Sequence, residues 1–236
     1  MPLRAVLFDV DFTLIEPGPA FRAEGYEAFC SKYGIAVDTS RFGRGVLSAA
    51  RVLEESGTVY DAELFVRYTA HIIEAMGGSG PRVTECAREI YDEWARCHHF
   101  QMYDDVPDVL RGLAASGMKI GLISNSHRSL SEFESHFELN GLISAAVSSS
   151  EHGRMKPHAS IFEAALRILG VPARNAVMVG DTLSHDIEGA LGAGLRAVLL
   201  HRSAQPHKHA DELAARGVPV IASLDHLPKI LKSLDF

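Results

Sequence analysis

Short, almost wholly apolar runs recur along the chain, each closing in small or charged residues: Ala5-Val6-Leu7-Phe8, Lys119 to Ile123, Ala145 to Val147, Ala176 to Val179, Ala197 to Leu200 and Val218 to Ile221. Runs of this kind, with no polar alternation, read as strands buried on both faces of a parallel sheet. Between the later runs lie stretches with helical spacing. Ala159 to Leu169 is the clearest, with Ile161, Phe162, Ala165, Leu166 and Leu169 on one face, and Leu130 to Leu139 and Ile187 to Ala193 are further helix-like segments. Strand and helix patterns that alternate in this way predict a parallel sheet with crossover helices.

The alternation breaks once. After Leu14 comes the turn-rich Glu16-Pro17-Gly18-Pro19, followed by helical patterns over Phe21 to Tyr33, Arg41 to Glu55, Ala62 to Met76 and Val83 to Cys97. Strand-helix order resumes near Tyr103. A separate helical bundle inserted after the first strand is expected, giving an α/β core of residues 1–15 and 101–236 and a helical segment of residues 16–100. There is no internal repeat or low-complexity segment.

Chemistry concentrates where the apolar runs end. The first run leads into Asp9-Val10-Asp11-Phe12-Thr13-Leu14, and if the strand continued, Asp9 and Asp11 would face the same side. The end of a central strand is where open α/β sheets bind ligands. Two like charges there are compatible with a nucleophile beside a general acid, a metal site, or a capped strand end. The run from Lys119 ends in Ser124-Asn125-Ser126, whose hydroxyl, amide and backbone N–H groups suit an anion, unless Ser126 is an ordinary helix N-cap. Lys156, ahead of Pro157, offers a point charge for a phosphate or carboxylate; taken in isolation it reads as a solvated surface lysine. The run from Ala176 ends in Gly180-Asp181, with Gly180 providing a tight turn and Asp186 following before Ile187. Hard oxygen donors from two strand ends suit Mg²⁺, which takes one or two protein carboxylates together with phosphate oxygens and water, although Asp186 alone could simply cap a helix.

These four ordered motifs resemble those of the haloacid dehalogenase-like hydrolase superfamily, over the whole chain apart from the inserted segment. The resemblance implies a Rossmann-like, doubly wound parallel core with an inserted helical cap that closes over the catalytic end of the sheet and sets substrate range. It implies that Asp9 is the nucleophile and Asp11 the general acid/base, that Thr13 braces the hairpin beside the substrate, that Ser124 with Asn125 receives the phosphoryl group, and that Lys156 stabilises nucleophile and phosphate charge. It further implies a Mg²⁺ site formed by Asp9, the backbone carbonyl of Asp11, Asp181 and Asp186. Two residues depart from the pattern: Phe12 stands where glycine is common, and His158 where an acidic residue is common after Lys-Pro.

On this reading the chain is a Mg²⁺-dependent phosphatase for a small phosphorylated metabolite. Asp9 would form an aspartyl-phosphate, while Mg²⁺ and Lys156 offset the repulsion between two anions. A phosphomutase would share every motif. A 2-haloacid dehalogenase would attack carbon with Asp9 but lacks need of Asp11 or the Asp181/Asp186 pair, and a noncatalytic scaffold would show a damaged motif.

Composition agrees with a globular enzyme: 236 residues, 47% of them hydrophobic, can bury a sizeable core. A net charge of −7, without dense basic blocks, argues against nucleic-acid binding. No signal peptide precedes the first strand and no apolar run is long enough to cross a bilayer, so a cytoplasmic location without membrane contact is the expectation. Cys30, Cys86 and Cys97 form no CxxC pair, and reduced, partly buried thiols are expected. His98-His99 and His201, His207 and His209 lack a recognisable companion ligand set and read as solvated. Gly189 to Gly194 reads as close helix packing rather than a nucleotide loop, and Arg41, Arg44 and Arg51 read as a solvated helix face.

Overall fold

The computed structural model describes residues 2–54, 57–203 and 205–234, with the backbone alone at Glu54. Eight strands run β1 (Ala5–Phe8), β2 (Ile15–Pro17), β3 (Phe100–Met102), β4 (Lys119–Ser124), β5 (Ile143–Ser148), β6 (Ala176–Gly180), β7 (Arg196–Leu200) and β8 (Val220–Ile221). The α-helices are α1 (Ala23–Lys32), α2 (Phe42–Glu54), α3 (Ala62–Ala75), α4 (Val83–Trp94), α5 (Val106–Ala115), α6 (Leu130–His136), α7 (Ser149–His152), α8 (Ala159–Leu169), α9 (Gly189–Gly192), α10 (Ala210–Ala215) and α11 (Leu227–Leu234). The end of the second expected helix, at Glu55, lies outside the described residues.

Six strands form a parallel sheet in the order β5-β4-β1-β6-β7-β8, and β2 pairs with β3 separately. This is the doubly wound α/β architecture that the sequence predicts. β1 is central, with β4 on one side and β6 on the other, so the chain changes direction across the sheet at β1, the position where such folds bind ligands. All four β1 residues are buried, as both faces are covered by helices. The register pairs Phe8 with Leu122 and with Val179. The carboxyl ends of β1, β4 and β6 therefore come level, and the residues that follow them share one edge.

The chain divides into two compact units, Met1–Glu16 with Met102–Phe236, and Pro17–Gln101. The first holds the sheet and a core in which Leu7, Ile123, Val147, Phe162, Met178 and Leu199 are buried together. The second is helical; Phe21, Trp94 and Phe100 meet in it at ring-centroid distances of 4.6 to 5.4 Å. Its Arg41, Arg44 and Arg51 are exposed, and Arg41 pairs with Asp38 at 3.0 Å. None of the three cysteines is in a disulfide and all three are buried, with Cys30 and Cys86 sulfurs 4.0 Å apart. His99 does have a companion that the sequence did not suggest, because Glu93 bonds its Nε2 at 2.8 Å and the ligand atoms of Glu93, His98 and His99 lie within 4.8 Å of one another.

Two elements are shorter than their apolar patterns. α6 stops at His136 because Glu138 takes φ 56°, a left-handed conformation that ends a helix, and Leu139 then folds back to donate to the Glu134 carbonyl. β8 retains only Val220 and Ile221, since Pro219 has no N–H for a ladder. No helix among the described residues is long and apolar enough to cross a membrane.

Candidate active site

β1 ends at Phe8, and the Asp9 to Leu14 segment is a tight turn rather than an extended strand: Leu14 N–H donates to the Val10 carbonyl at 2.9 Å and Phe12 N–H to that of Ile15 at 2.7 Å. The expectation that strand alternation places Asp9 and Asp11 on one side is corrected, because β1 ends at Phe8: within the turn Asp9 pairs with Lys156, while Asp11 meets Ser124 and Arg128. Phe12 sits at φ 65° within it, half-exposed. That backbone region is free of cost to glycine and strained by about 1–2 kcal/mol for a residue with a Cβ, which explains why glycine would suit the position.

Lys156 is the centre of the charge cluster. Its buried ammonium donates to Asp9 Oδ1 at 2.5 Å and to the Ile123 carbonyl at 2.9 Å, and lies 2.8 Å from Asp186 Oδ1. It is no solvated surface lysine. Burial acts to lower its pKa, but Asp186 and Asp9 outweigh burial and raise it, so the charged form is held. Asn125 fixes the backbone beneath it, its Oδ1 accepting from Lys156 N–H at 2.7 Å and its Nδ2 donating to the Lys156 carbonyl at 3.0 Å. The amide expected to meet a phosphoryl group is thus engaged in placing the lysine. The Lys156-Pro157 peptide is cis, and α8 then starts with His158 as its N-cap, Nδ1 accepting from Ser160 N–H at 3.2 Å. His158 replaces an acidic cap with an imidazole one.

Ser124, fully buried at the end of β4, bonds Ser126 Oγ at 2.8 Å and approaches Asp11 Oδ2 at 3.5 Å. Ser126 is not an N-cap; Ser129 caps α6, accepting from Glu132 N–H at 3.2 Å. Thr13 is fully buried, and its hydroxyl has no hydrogen-bond partner among the described residues. Its carbonyl accepts from Arg202 at 3.1 Å, and Arg202 in turn grips Asp105 at 2.9 and 2.8 Å. This brace on the hairpin was not apparent from the sequence. Nor was Arg128, whose side chain is fully buried and whose Nη1 donates to Asp11 Oδ1 at 2.8 Å. A single arginine in a serine-rich turn carries no local signal of a partner 117 positions away in sequence.

Asp181 and Asp186 follow β6. Leu183–Glu188 is a π-helical turn, so Asp186 lies inside a helix rather than capping one. Gly180 is the last residue of β6 and does not take the left-handed conformation of a glycine turn; what it provides is room, since a Cβ there would overlap the Asp186 carboxylate. Gly189 likewise admits close packing, since a Cβ would come within 2.9 Å of the Phe162 ring and Pro157. Asp186 is buried and accepts from Thr182 N–H at 3.0 Å, whereas Asp181 is only half-buried.

Oxygens of Asp9, Asp181 and Asp186 lie within 4.8 Å of one another. Burial, joined by Asp186, lifts Asp181 to about 7; burial also lifts Asp9 well above its ordinary value, against Lys156 and with Asp186 and Asp181. Asp186 Oδ1 faces Lys156 as an ion pair but without hydrogen-bond alignment. Three carboxylates against one ammonium leave uncompensated negative charge, and an all-oxygen donor set of this kind fits a hard divalent cation.

This fold, with buried carboxylates and a lysine at the carboxyl edge of its sheet, is that of an α/β enzyme. The haloacid dehalogenase-like hydrolase model matches residues 3–194, and the chain belongs to that family. The chain is 30% identical to N-acylneuraminate-9-phosphatase of Mus musculus, over 99% of this chain and 95% of that protein. It is 27% identical to glyceraldehyde 3-phosphate phosphatase of Methanothermobacter thermautotrophicus, over 97% and 100%. A magnesium-bound crystal structure of the HAD-hydrolase YfnB from Bacillus subtilis superposes with TM-score 0.74 at 20% identity, over 98% of this chain and 99% of that one.

Proposed function

We propose that this chain is a Mg²⁺-dependent phosphatase that hydrolyses small phosphorylated metabolites through an aspartyl-phosphate at Asp9. The observation that carries the reading is the Asp9 carboxylate, buried at the end of the central strand and held at 2.5 Å by a lysine that a second carboxylate also grips. Phosphatase relatives with different small phosphorylated substrates support it.

Asp9 has one oxygen on Lys156 and attacks phosphorus with the other. The ester P–O bond breaks, its electron pair passes to the leaving oxygen, and Asp11 supplies the proton. Asp11 then takes a proton from water as that water attacks phosphorus, and the bond from phosphorus to Asp9 breaks to release inorganic phosphate. Ser124, with its hydroxyl beside Asp11, receives phosphoryl oxygens. Lys156 orients Asp9 and favours its ionised form against burial, and Asn125 places Lys156. Asp9, Asp181, Asp186 and the Asp11 carbonyl would hold Mg²⁺, which supplies neutralisation of the charge on the phosphoryl oxygens. The metal is also what this arrangement calls for electrostatically, because burial and mutual repulsion otherwise push Asp9 and Asp181 toward protonation.

The test is turnover of a panel of phosphorylated metabolites with Mg²⁺ and with chelator, joined to rapid-quench mass spectrometry of the protein. Metal-dependent phosphate release and a phosphoryl group on Asp9, absent in Asp9→Asn, are expected. Full turnover in excess chelator, or label on another residue, would overturn the reading. Transfer of the phosphoryl group to a sugar hydroxyl instead of water would make the protein a mutase.

A further inference from the structure

We infer that Arg128 is a positioning residue that fixes which oxygen of Asp11 exchanges protons, an inference that rests on the acid/base role proposed for Asp11. The Arg128 side chain is wholly buried, and a guanidinium is retained in such surroundings only where a charge partner and hydrogen bonds compensate its lost hydration. Its Nη1 donates to Asp11 Oδ1 at 2.8 Å. The other oxygen, Oδ2, is the one beside the Ser124 hydroxyl, at 3.5 Å. The two oxygens of one carboxylate are thereby differentiated: Oδ1 is anchored to the interior, and Oδ2 faces the end of β4.

The consequence for the reaction is geometric. A terminal carboxyl torsion is broad and soft, and Asp11 is still 18% exposed, so an unanchored carboxylate would sample orientations in which neither oxygen reaches the leaving group. Anchoring one oxygen restricts the other to a single arc. In the first half-reaction Oδ2 delivers its proton to the leaving oxygen as the ester P–O bond breaks. In the second, the same Oδ2 takes a proton from the attacking water. Arg128 makes no contact with the reacting atoms in this scheme and contributes only through Asp11.

The prediction is a selective loss. With Arg128→Lys and Arg128→Gln, kcat/KM for phenyl phosphate, whose leaving group needs a proton, should fall roughly tenfold or more beyond any fall for 4-nitrophenyl phosphate, a share of the 10²–10⁴ typical of general acid-base catalysis. Inhibition by inorganic phosphate should be unchanged, and Arg128→Lys, which keeps the charge, should retain more than Arg128→Gln. In an Asp11→Asn background the same substitutions should leave the ratio between the two esters unaltered. Equal losses on both esters, or a changed ratio in the Asp11→Asn background, would reduce Arg128 to a structural residue. If one variant fails to fold by thermal melting, the other still gives the ratio. Rapid-quench labelling of the unmodified protein separates the two levels: no phosphoryl group on Asp9 would remove the phosphatase reading itself, whereas label on Asp9 with uniform losses would remove only the role of Arg128.

Discussion

Asp186 shows how a residue's place changes once the chain is folded. From the sequence it stood at the end of the acidic motif, where taken alone it could simply cap a helix. In the structure it is the inner one, buried, bonded to Thr182 N–H and paired with Lys156, while Asp181 is half-buried with a pKa near 7. The two should therefore respond oppositely to truncation in metal-free protein. Asp186→Ala leaves Lys156 with one carboxylate fewer and a backbone donor unsatisfied, and is expected to cost about 3 kcal/mol, the scale for breaking a buried pair. Asp181→Ala removes a carboxylate whose charge is already disfavoured, and at pH 8 it should be neutral or stabilising. Thermal melts in chelator check this; a larger loss for Asp181→Ala would mean that Asp181 has a stabilising partner in solution. Both variants should lose Mg²⁺ affinity. Asp9, Ser124 and Asp181 were legible because each lies at the end of an apolar run that reads as a buried strand, whereas Lys156 follows no such run and was picked out only by its place in the order of the motifs. Arg128 and Arg202 were not, because their importance rests on pairs to Asp11 and Asp105 far along the chain, and isolated arginines look alike in sequence.

Elements were legible in proportion to the regularity of their patterns. α8 occupies the Ala159 to Leu169 span that its five apolar positions indicate, bounded by the His158 cap and by Gly170 at φ 64°. Alternation carried past Phe8 could not show how the Asp9 to Leu14 hairpin turns, and the π-helical turn gave no signal because an i to i+5 bond leaves no periodic trace over six residues. That wide turn and the strand before it are built around each other. β6 ends in Gly180, the only residue type that leaves room for Asp186 as the turn brings it back against the strand. Gly180→Ala adds one methyl group, yet the atoms it meets are those of the carboxylate that pairs with Lys156 and is proposed to hold Mg²⁺, rather than a flexible chain end. The expected outcome is a folded protein, destabilised by about 1–3 kcal/mol as for overpacking elsewhere, whose activity falls far more than its stability. Normal turnover and Mg²⁺ affinity in Gly180→Ala would show that Asp186 can shift without consequence.

At the scale of the whole molecule the charge cluster couples folding to pH and, through the proposed Mg²⁺ site, to metal. The folded-state pKa of Asp181, about 7, lies above its ordinary value of 3.8, so the folded protein binds that proton more tightly than the unfolded chain does. This contribution to stability is fully present below pH 3.8, is lost as pH rises toward 7, and is absent above it. Its size is at most about 4 kcal/mol at 1.36 kcal/mol per unit. Mg²⁺ bound at the proposed site would reverse the balance, since the cation favours the ionised carboxylates that burial opposes, and protons would then compete with the metal. In chelator the melting temperature should therefore decline between pH 5 and pH 8, and the rise produced by saturating Mg²⁺ should be larger at pH 8 than at pH 5.5. The overall charge of −7 adds a general decline with pH through self-repulsion, so the comparison that isolates the site is Asp181→Asn. That variant holds a neutral group at every pH. Its chelated melting curve should be flatter across this range and its response to Mg²⁺ smaller. Identical pH profiles for the two proteins would show that Asp181 does not titrate in this window and that the cation is not held through it.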